Sequence, residues 1–141
     1  NVLDAYEEGT WTPVVAGSST AGTYEISITQ ADYVKIGKSV TVNCRIVMAG
    51  SLTGGGSGDL EITGLPFAKA ENSIAQGSVV TRGIDLTAGA ISLSCGFATT
   101  SAVSKVVLEE IIDNATSVIV PISAIAASDT IQTTITYTST T

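Results

Sequence analysis

The stretch Ser39-Val40-Thr41-Val42-Asn43-Cys44-Arg45-Ile46-Val47-Met48-Ala49 alternates between apolar and polar side chains. The apolar positions are Val40, Val42, Cys44, Ile46 and Met48, and the polar positions between them are Thr41, Asn43 and Arg45. Successive side chains of a β-strand point to opposite faces of a sheet, whereas an α-helix repeats every 3.6 residues. The pattern therefore predicts a strand with one buried face.

Similar alternation recurs along the chain, separated by clusters of Gly, Ser, Thr, Asn and Asp that favour turns. The predicted inward residues are Tyr24, Ile26 and Ile28 in 23–29, Leu60 and Ile62 in 59–63, Ile91, Leu93, Cys95 and Phe97 in 90–98, and Ile131, Ile135 and Tyr137 in 130–138. The predicted turns are 16–22, 50–58, 68–73, 83–89, 98–102 and 113–116. This spacing predicts an all-β, antiparallel β-sandwich, jelly-roll-like in its order of strands.

Two segments allow more than one interpretation. Residues 103–112 fit a helix through Val103, Val107 and Ile111, but their β-branched content favours a strand. Such a strand would be apolar on both faces, and we expect it to need a neighbour, within the subunit or across an interface. The glycine-rich residues 50–58 are expected to form a flexible hairpin tip, with a binding loop as the alternative.

The chain has 141 residues, which predicts one domain over 1–141 with a core that needs no metal or disulfide. Only 13% of its residues are charged, against about 25% in a typical soluble domain. A surface of Thr, Ser and Gly suits packing against copies of the same chain. The longest apolar run, 118–127, contains Pro121 and Ser123, so no membrane-spanning helix is predicted.

Charge and residue usage exclude several functions. The net charge is −7 and the six basic residues are scattered, which argues against nucleic acid and anionic membranes as partners. Histidine is absent, and with it the commonest general base and zinc ligand. No cofactor or metal site is predicted.

The acidic residues Asp4, Glu7 and Glu8 are the candidates for glycosidase chemistry. Such enzymes hold two carboxyl groups about 5 to 10 Å apart across a cleft. Adjacent residues of a strand point to opposite faces, so Glu7 and Glu8 make a poor pair. A carboxylate-based glycan hydrolase is therefore the least favoured function, and the spacing of an EF-hand calcium loop is also missing.

Both cysteines, Cys44 and Cys95, fall on predicted inward faces. The two cysteines could form a disulfide or remain free buried thiols. Free thiols are favoured because nothing in the sequence indicates secretion. Asn114-Ala115-Thr116 matches the short acceptor pattern for N-glycosylation.

Tyr33 and Lys35 alternate with Val34 and Ile36, so they face away from the core if 31–37 is extended. An exposed aromatic ring beside a polar donor is one way in which proteins grip sugars. These two residues are the weak candidates for receptor contact.

Three segments carry a family resemblance: Glu7-Glu8-Gly9-Thr10-Trp11-Thr12-Pro13, Tyr33-Val34-Lys35-Ile36-Gly37-Lys38-Ser39-Val40-Thr41-Val42 and Ile62-Thr63-Gly64-Leu65-Pro66-Phe67. In order and spacing they resemble a C-terminal domain of the tail fibres and tailspikes of tailed bacteriophages. Leu3-Asp4-Ala5-Tyr6 resembles the start of that domain, where Asp-Asp-Tyr is commoner and Ala5 departs from the pattern. The structural motif residues are Glu7, Glu8, Gly9, Trp11, Pro13, Gly37, Gly64, Pro66 and Phe67.

The resemblance implies a distal module at the tip of a fibre or spike in the virion, assembled as a homotrimer. Residues 1–10 would link it to an upstream region absent from this chain. Its implied role is to bind a host cell-surface receptor, polysaccharide or lipopolysaccharide, without enzymatic activity. The alternative is a structural module that trimerises or caps the fibre. Within it, we expect Trp11 to anchor the first strand, Gly9 to turn the chain into that strand, and Glu7 and Glu8 to lie near the domain's start or a subunit boundary.

Overall fold

The computed structural model describes residues 5–49, 54–73, 75–97 and 104–141. Predictions that involve Asp4, the turn 98–102, Val103 or residues 50–53 lie outside these ranges. A short 3₁₀ turn spans Ile122–Ala124. The strands are β1 Tyr6–Thr10, β2 Val14–Gly17, β3 Ile26–Ile36, β4 Ser39–Met48, β5 Leu60–Thr63, β6 Gln76–Arg82, β7 Ala90–Phe97, β8 Val106–Ile112, β9 Val118–Ile119 and β10 Thr130–Thr138.

The strands form one sheet in the order β1-β3-β4-β10-β6-β7-β8-β5-β2, with β9 beside β8. Each described pairing of these strands is antiparallel. The prediction of an all-β, antiparallel fold is therefore confirmed, whereas the jelly-roll order and the homotrimer stay predictions. Strands β1, β3, β4, β10 and β6 are called the five-stranded half below.

The sheet curls strongly, because its two outermost strands are consecutive in the chain. β1 and β2 lie at opposite ends of the strand order, yet only Trp11-Thr12-Pro13 joins them. Four Cα steps span at most about 14 Å. The two edges of the sheet must therefore approach each other where this linker crosses.

The inner face of the curled sheet holds one cluster of buried side chains that includes residues of both halves. Alternate residues of β4 and β10 face it, as the sequence predicts, and so do Leu60 and Ile62 of β5. The largest fully buried apolar side chains are Ile46, Met48, Leu60, Ile62, Leu108, Ile131 and Ile135.

The strand predicted over 23–29 is displaced, since β3 runs from Ile26 to Ile36 and Tyr24 precedes it. Between Ile28 and Gln30 the register with β4 shifts, so Thr29 has no partner there. Beyond this bulge Ala31, Tyr33 and Lys35 lie opposite inward-facing residues of β4. The prediction that Tyr33 and Lys35 face away from the core is therefore wrong, because the extra residue reverses the side-chain alternation.

A second bulge changes the predicted inward face of β7. The register with β8 shifts between Ala90 and Ser92, and the unpaired Ile91 is 68% exposed rather than buried. Cys95 is buried, and Leu93 and Phe97 are partly buried against the core, as predicted.

The strand interpretation of 103–112 is confirmed over its described part, β8. This strand pairs with β7, β5 and β9, so the neighbours that its two apolar faces require lie within the subunit. Both Val107 and Leu108, which point to opposite faces, are buried.

The described part of the glycine-rich segment is not a hairpin tip, because β4 and β5 do not pair with each other. Gly54 and Ser57 instead form bridges to Thr23 and Thr20. The turn predicted over residues 16–22 overlaps the end of β2, which extends to Gly17. The short strands β2 and β9, and β6 with its Gly and Ser, gave no clear alternation in the sequence.

Candidate functional site

The linker that closes the sheet is anchored by Trp11, whose side chain is only 8% exposed. Its backbone N–H donates to the carbonyl of Ala31 at 3.1 Å, and its indole Nε1–H donates to the carbonyl of Asn43 at 3.1 Å. The large ring is thus buried with its one polar atom satisfied, as buried tryptophans require. Trp11 lies immediately after β1 and anchors it, as predicted.

Tyr33 and Lys35 both pack against Phe67. The rings of Tyr33 and Phe67 meet edge to face with centroids 5.3 Å apart, and Lys35 Nζ lies 5.2 Å from the centre of the Phe67 ring. The Tyr137 hydroxyl donates to the carbonyl of Phe67 at 2.9 Å. The second and third segments of the resemblance therefore meet on the inner side of the sheet, and Tyr33 is not an outward-facing platform for a sugar.

Gly9 lies within β1 and does not turn the chain into the strand, which corrects the expectation from the sequence. It is opposite Tyr33, and a Cβ atom at Gly9 would lie 2.9 Å from Tyr33 Oη. Glycine is required here for the close approach of the ring. The other motif glycines do adopt positive φ: Gly37 (φ 58°) in the two-residue turn between β3 and β4, and Gly64 (φ 87°), where a Cβ would collide with the carbonyl oxygen of Thr12.

The two adjacent carboxylates each accept a hydrogen bond from a tyrosine. Glu7 Oε1 accepts from the Tyr33 hydroxyl at 2.8 Å, and Glu8 accepts from the Tyr6 hydroxyl. Each bond raises the pKa of its tyrosine, since it favours the protonated phenol. Glu7 and Glu8 point to opposite faces, so they do not form a pair across a cleft. Of the motif prolines, Pro13 of the linker is buried and Pro66 is half-buried.

The outer face of the five-stranded half carries a line of polar side chains at matching register. We call it the polar row: Thr10 of β1, Asp32 of β3, Asn43 of β4, Thr134 of β10 and Ser78 of β6. Asn43 Nδ2 donates to Asp32 Oδ1 at 3.1 Å, and the Thr134 hydroxyl donates to Asn43 Oδ1 at 2.8 Å. The row is thus a preorganised chain of hydrogen-bonding groups across the strands.

Further polar contacts flank the polar row. Gln30 Nε2 donates to Asp32 Oδ2 at 2.8 Å, and the hydroxyls of Thr41 and Thr136 are 2.8 Å apart. Both oxygens of Asp32 are therefore held by amide donors. The neighbouring Arg45 lies opposite Gln30 in the register.

Two shallow depressions of about 390 and 320 Å³ adjoin at Thr10 and Asp32, and together they are called the β1–β3 groove. The first is lined by Thr10, Trp11, Ile28, Thr29, Gln30, Ala31 and Asp32, and the second by Glu8, Gly9, Thr10, Asp32, Tyr33 and Val34. The first lies beyond the end of β1, where no described strand pairs with β3 on that side. Hydroxyl, amide and carboxylate groups there can bind a polar ligand that stays partly in solvent.

Two charged side chains that are fully buried were not predicted from the sequence. Lys69 is fully buried, and its ammonium donates to the carbonyls of Ala70 and Ser73, both at 3.1 Å. Glu110 is also fully buried; its Oε2 accepts from the N–H of Thr87 at 3.0 Å, while Oε1 has no hydrogen-bond partner among the residues that the structure describes. Glu110 follows Val106 and Leu108 at the spacing of a strand, so the alternation placed it on the inner face.

Cys44 and Cys95 are free and buried, as the sequence favoured. Cys44 lies opposite Thr133 in the β4–β10 register, and Cys95 Sγ is 2.9 Å from the Thr133 hydroxyl. Burial raises the pKa of Cys44 to about 12 and also raises the pKa of Cys95. Neither thiol is activated as a nucleophile.

No match was found in comparisons of this chain with protein-family models, curated proteins and solved structures. The resemblance to phage tail proteins therefore stays a prediction. Across residues 5–49, 54–73, 75–97 and 104–141 there is no group of three or more acidic, cysteine or histidine side chains placed to hold a metal ion. In the same part of the chain, no helix is long and apolar enough to cross a membrane.

Proposed function

We propose that this chain is the distal domain of a phage tail fibre or tailspike, and that it binds a host cell-surface carbohydrate without cleaving it. The receptor would be a polysaccharide or lipopolysaccharide, and the domain would act in the virion as a homotrimer of jelly-roll-like β-sandwiches. Contact would be made by the outer face of the five-stranded half.

One observation carries this proposal: the polar row lies beside the β1–β3 groove on a rigid sheet. Asn43 is bonded on both sides, to Asp32 and to Thr134, so the row's geometry is fixed before a ligand arrives. Fixed polar groups reduce the entropy lost on binding. A shallow, hydroxyl-rich surface suits a glycan, which offers many hydroxyls and little apolar area.

The segments that carry the resemblance support the architecture in this proposal. Trp11, Tyr33 and Phe67 come from three different segments; Trp11 belongs to the core cluster, and Tyr33 and Phe67 pack against it and against each other. Their contacts hold β1 against β3, and these two strands form the groove. Trp11, Tyr33 and Phe67 would thus support the binding face from behind, whereas the motif residue Glu8 lines the groove itself.

A glycan array tests the proposal. The intact chain is applied to immobilised bacterial polysaccharides and lipopolysaccharides, together with two variants of strand β10, Thr134→Ala and Thr138→Ala. Both threonines are exposed, but only Thr134 belongs to the polar row. We expect the wild type to bind at least one glycan and Thr134→Ala to weaken that binding at least threefold, with little effect of Thr138→Ala. Absence of binding to every glycan would defeat the proposal.

A structural module that trimerises or caps the fibre is the second candidate, and exposed apolar side chains favour it. Tyr6 and Ile36 face each other across β1 and β3 and are each 53% exposed. Apolar side chains grouped in this way suit contact with another protein surface. Stable trimers that bind no glycan on the array would favour this function over the first.

A further inference from the structure

The charged groups of the β1–β3 groove define the chemical class of its ligand, an inference that rests on the proposed function. Among the described residues that line it, Glu8 and Asp32 are acidic and none is basic. Glu8 lies opposite Val34 and Asp32 opposite Thr10. The two acids are thus diagonal neighbours, with Cα atoms about 7 to 8 Å apart.

In the described part of the chain, the hydrogen-bond partners of these two carboxylates are neutral groups. Asp32 accepts its hydrogen bonds from the neutral amides of Gln30 and Asn43, and Glu8 accepts from the phenol of Tyr6. The nearest basic side chain on this face, by strand register, is that of Arg45 on β4. Its guanidinium donates to the hydroxyl of Thr29 at 3.5 Å, at the end of the groove away from Glu8. The chain as a whole has a net charge of −7, so the groove repels anions.

The polar and aliphatic side chains of the groove can contact the hydroxyls and the C–H face of a sugar ring. Carboxylates and the Thr10 hydroxyl accept hydrogen bonds from sugar hydroxyls. Val34, on the outer face, is 36% exposed and offers aliphatic surface to the C–H face of a pyranose. From Ile28 to Val34 the groove follows about 20 Å of strand, long enough for several linked sugars.

We infer that the β1–β3 groove binds an uncharged glycan chain and rejects glycans that carry uronate, sialate or phosphate groups. An anionic unit beside Glu8 and Asp32 would lie next to two carboxylates whose hydrogen-bond partners are neutral. An uncharged unit can satisfy the same carboxylates through its hydroxyls, at no electrostatic cost. Glu8 and Asp32 are therefore specificity-determining residues of the site.

The test compares uncharged, acidic and amine-bearing glycans on one array, using the intact chain at about 50 mM and 500 mM salt. We expect the bound glycans to be uncharged and their binding to change little with salt. Strongest binding to acidic glycans would overturn the inference and leave the proposed function in place. Binding only to amine-bearing glycans would also overturn it. If no glycan binds, the proposed function fails and the inference falls with it.

A pair of charge-neutralising variants localises the effect. Glu8→Gln removes one acid from the groove, and Glu71→Gln removes an exposed acid in a turn elsewhere, with the same change in net charge. At low salt we expect Glu8→Gln to increase residual binding to acidic glycans about two- to fivefold, the size of a partly screened charge interaction. Glu71→Gln should leave the residual binding to acidic glycans unchanged. Equal effects of the two variants would contradict the assignment to the groove.

Discussion

Gly9 stands directly opposite Tyr33 in the β1–β3 pair, and the Tyr33 ring occupies the space beside it that a side chain would need. The ring can lie there because glycine has no Cβ atom. From that position its hydroxyl reaches Glu7 and its edge reaches Phe67. One glycine thus permits the contacts that join three segments of the chain behind the proposed binding face.

A double-mutant cycle tests this relationship. Gly9→Ala should lower the free energy of unfolding by about 1 to 3 kcal/mol, because the added methyl group collides with Tyr33. In a Tyr33→Ala background the same substitution should cost much less, since the ring is gone. Chemical denaturation at one fixed protomer concentration measures both values. An equal cost in the two backgrounds would show that the ring is not the reason for glycine.

Removal of the buried charge at Glu110 should leave the protein equally stable or make it more stable. Glu110→Gln keeps an oxygen to accept from the N–H of Thr87 and takes an incompletely paired carboxylate out of the core. We expect the free energy of unfolding to rise by about 0 to 2 kcal/mol. Glu109→Gln, at the neighbouring position on the opposite face, is the control. A loss above about 2 kcal/mol would indicate a role for the charge itself.

Stability should fall at alkaline pH through Cys44. Its pKa is about 12 in the folded chain, above the ordinary value of 9.0. Between these values the folded state holds a proton that the unfolded state has lost. The contribution is therefore complete below about pH 9 and declines as the pH rises towards 12, by at most about 1.4 kcal/mol per pH unit.

The pH effect is measured by denaturation between pH 8 and 11, with Cys44→Ala as the comparison. Tyr137, whose pKa burial also raises to about 12, contributes in the same direction in both proteins. We expect a shallower decline in the variant. Identical slopes would mean that Cys44 does not remain protonated in the folded protein.

The homotrimer in the proposal is tested by mass measurement in solution. Light scattering coupled to size exclusion should give about three times 14.3 kDa at micromolar concentration. Ile36→Ser is a useful companion variant, since Ile36 belongs to the exposed apolar pair with Tyr6. A wild-type protein that is monomeric at this concentration would contradict the proposed assembly.

Alternation of side chains predicted the buried faces of β4 and β10 correctly because both strands run without interruption. It failed at Ile91 of β7 and beyond the bulge of β3, where Ile91 and Thr29 are extra residues that shift the register, but the other inward residues of β7 were predicted correctly. A bulge depends on the partner strand as well as on its own sequence, so the pattern of one strand does not reveal it. The error at β3 reversed the placement of Tyr33 and with it the sugar-contact prediction.

The candidate site could not be predicted from the sequence, for a related reason. The polar row combines side chains from five strands whose order in the sheet differs from their order in the chain. Asn43 was recognised as an outward residue of its strand, but its partners Asp32 and Thr134 become neighbours only through strand pairing. The inward position of Glu110 was also missed, but it could have been predicted, because Glu110 follows Val106 and Leu108 on the same face of β8.

The most direct test of the proposed binding face is a map of amide chemical shifts as a glycan is added. The isotope-labelled chain is titrated with the glycan that binds best on the array. Binding by the outer face of the five-stranded half predicts the largest changes at Thr10, Asp32 and Asn43. If the largest changes fall instead around Ile91 and Ile111 on the other half of the sheet, this account of the binding face is contradicted.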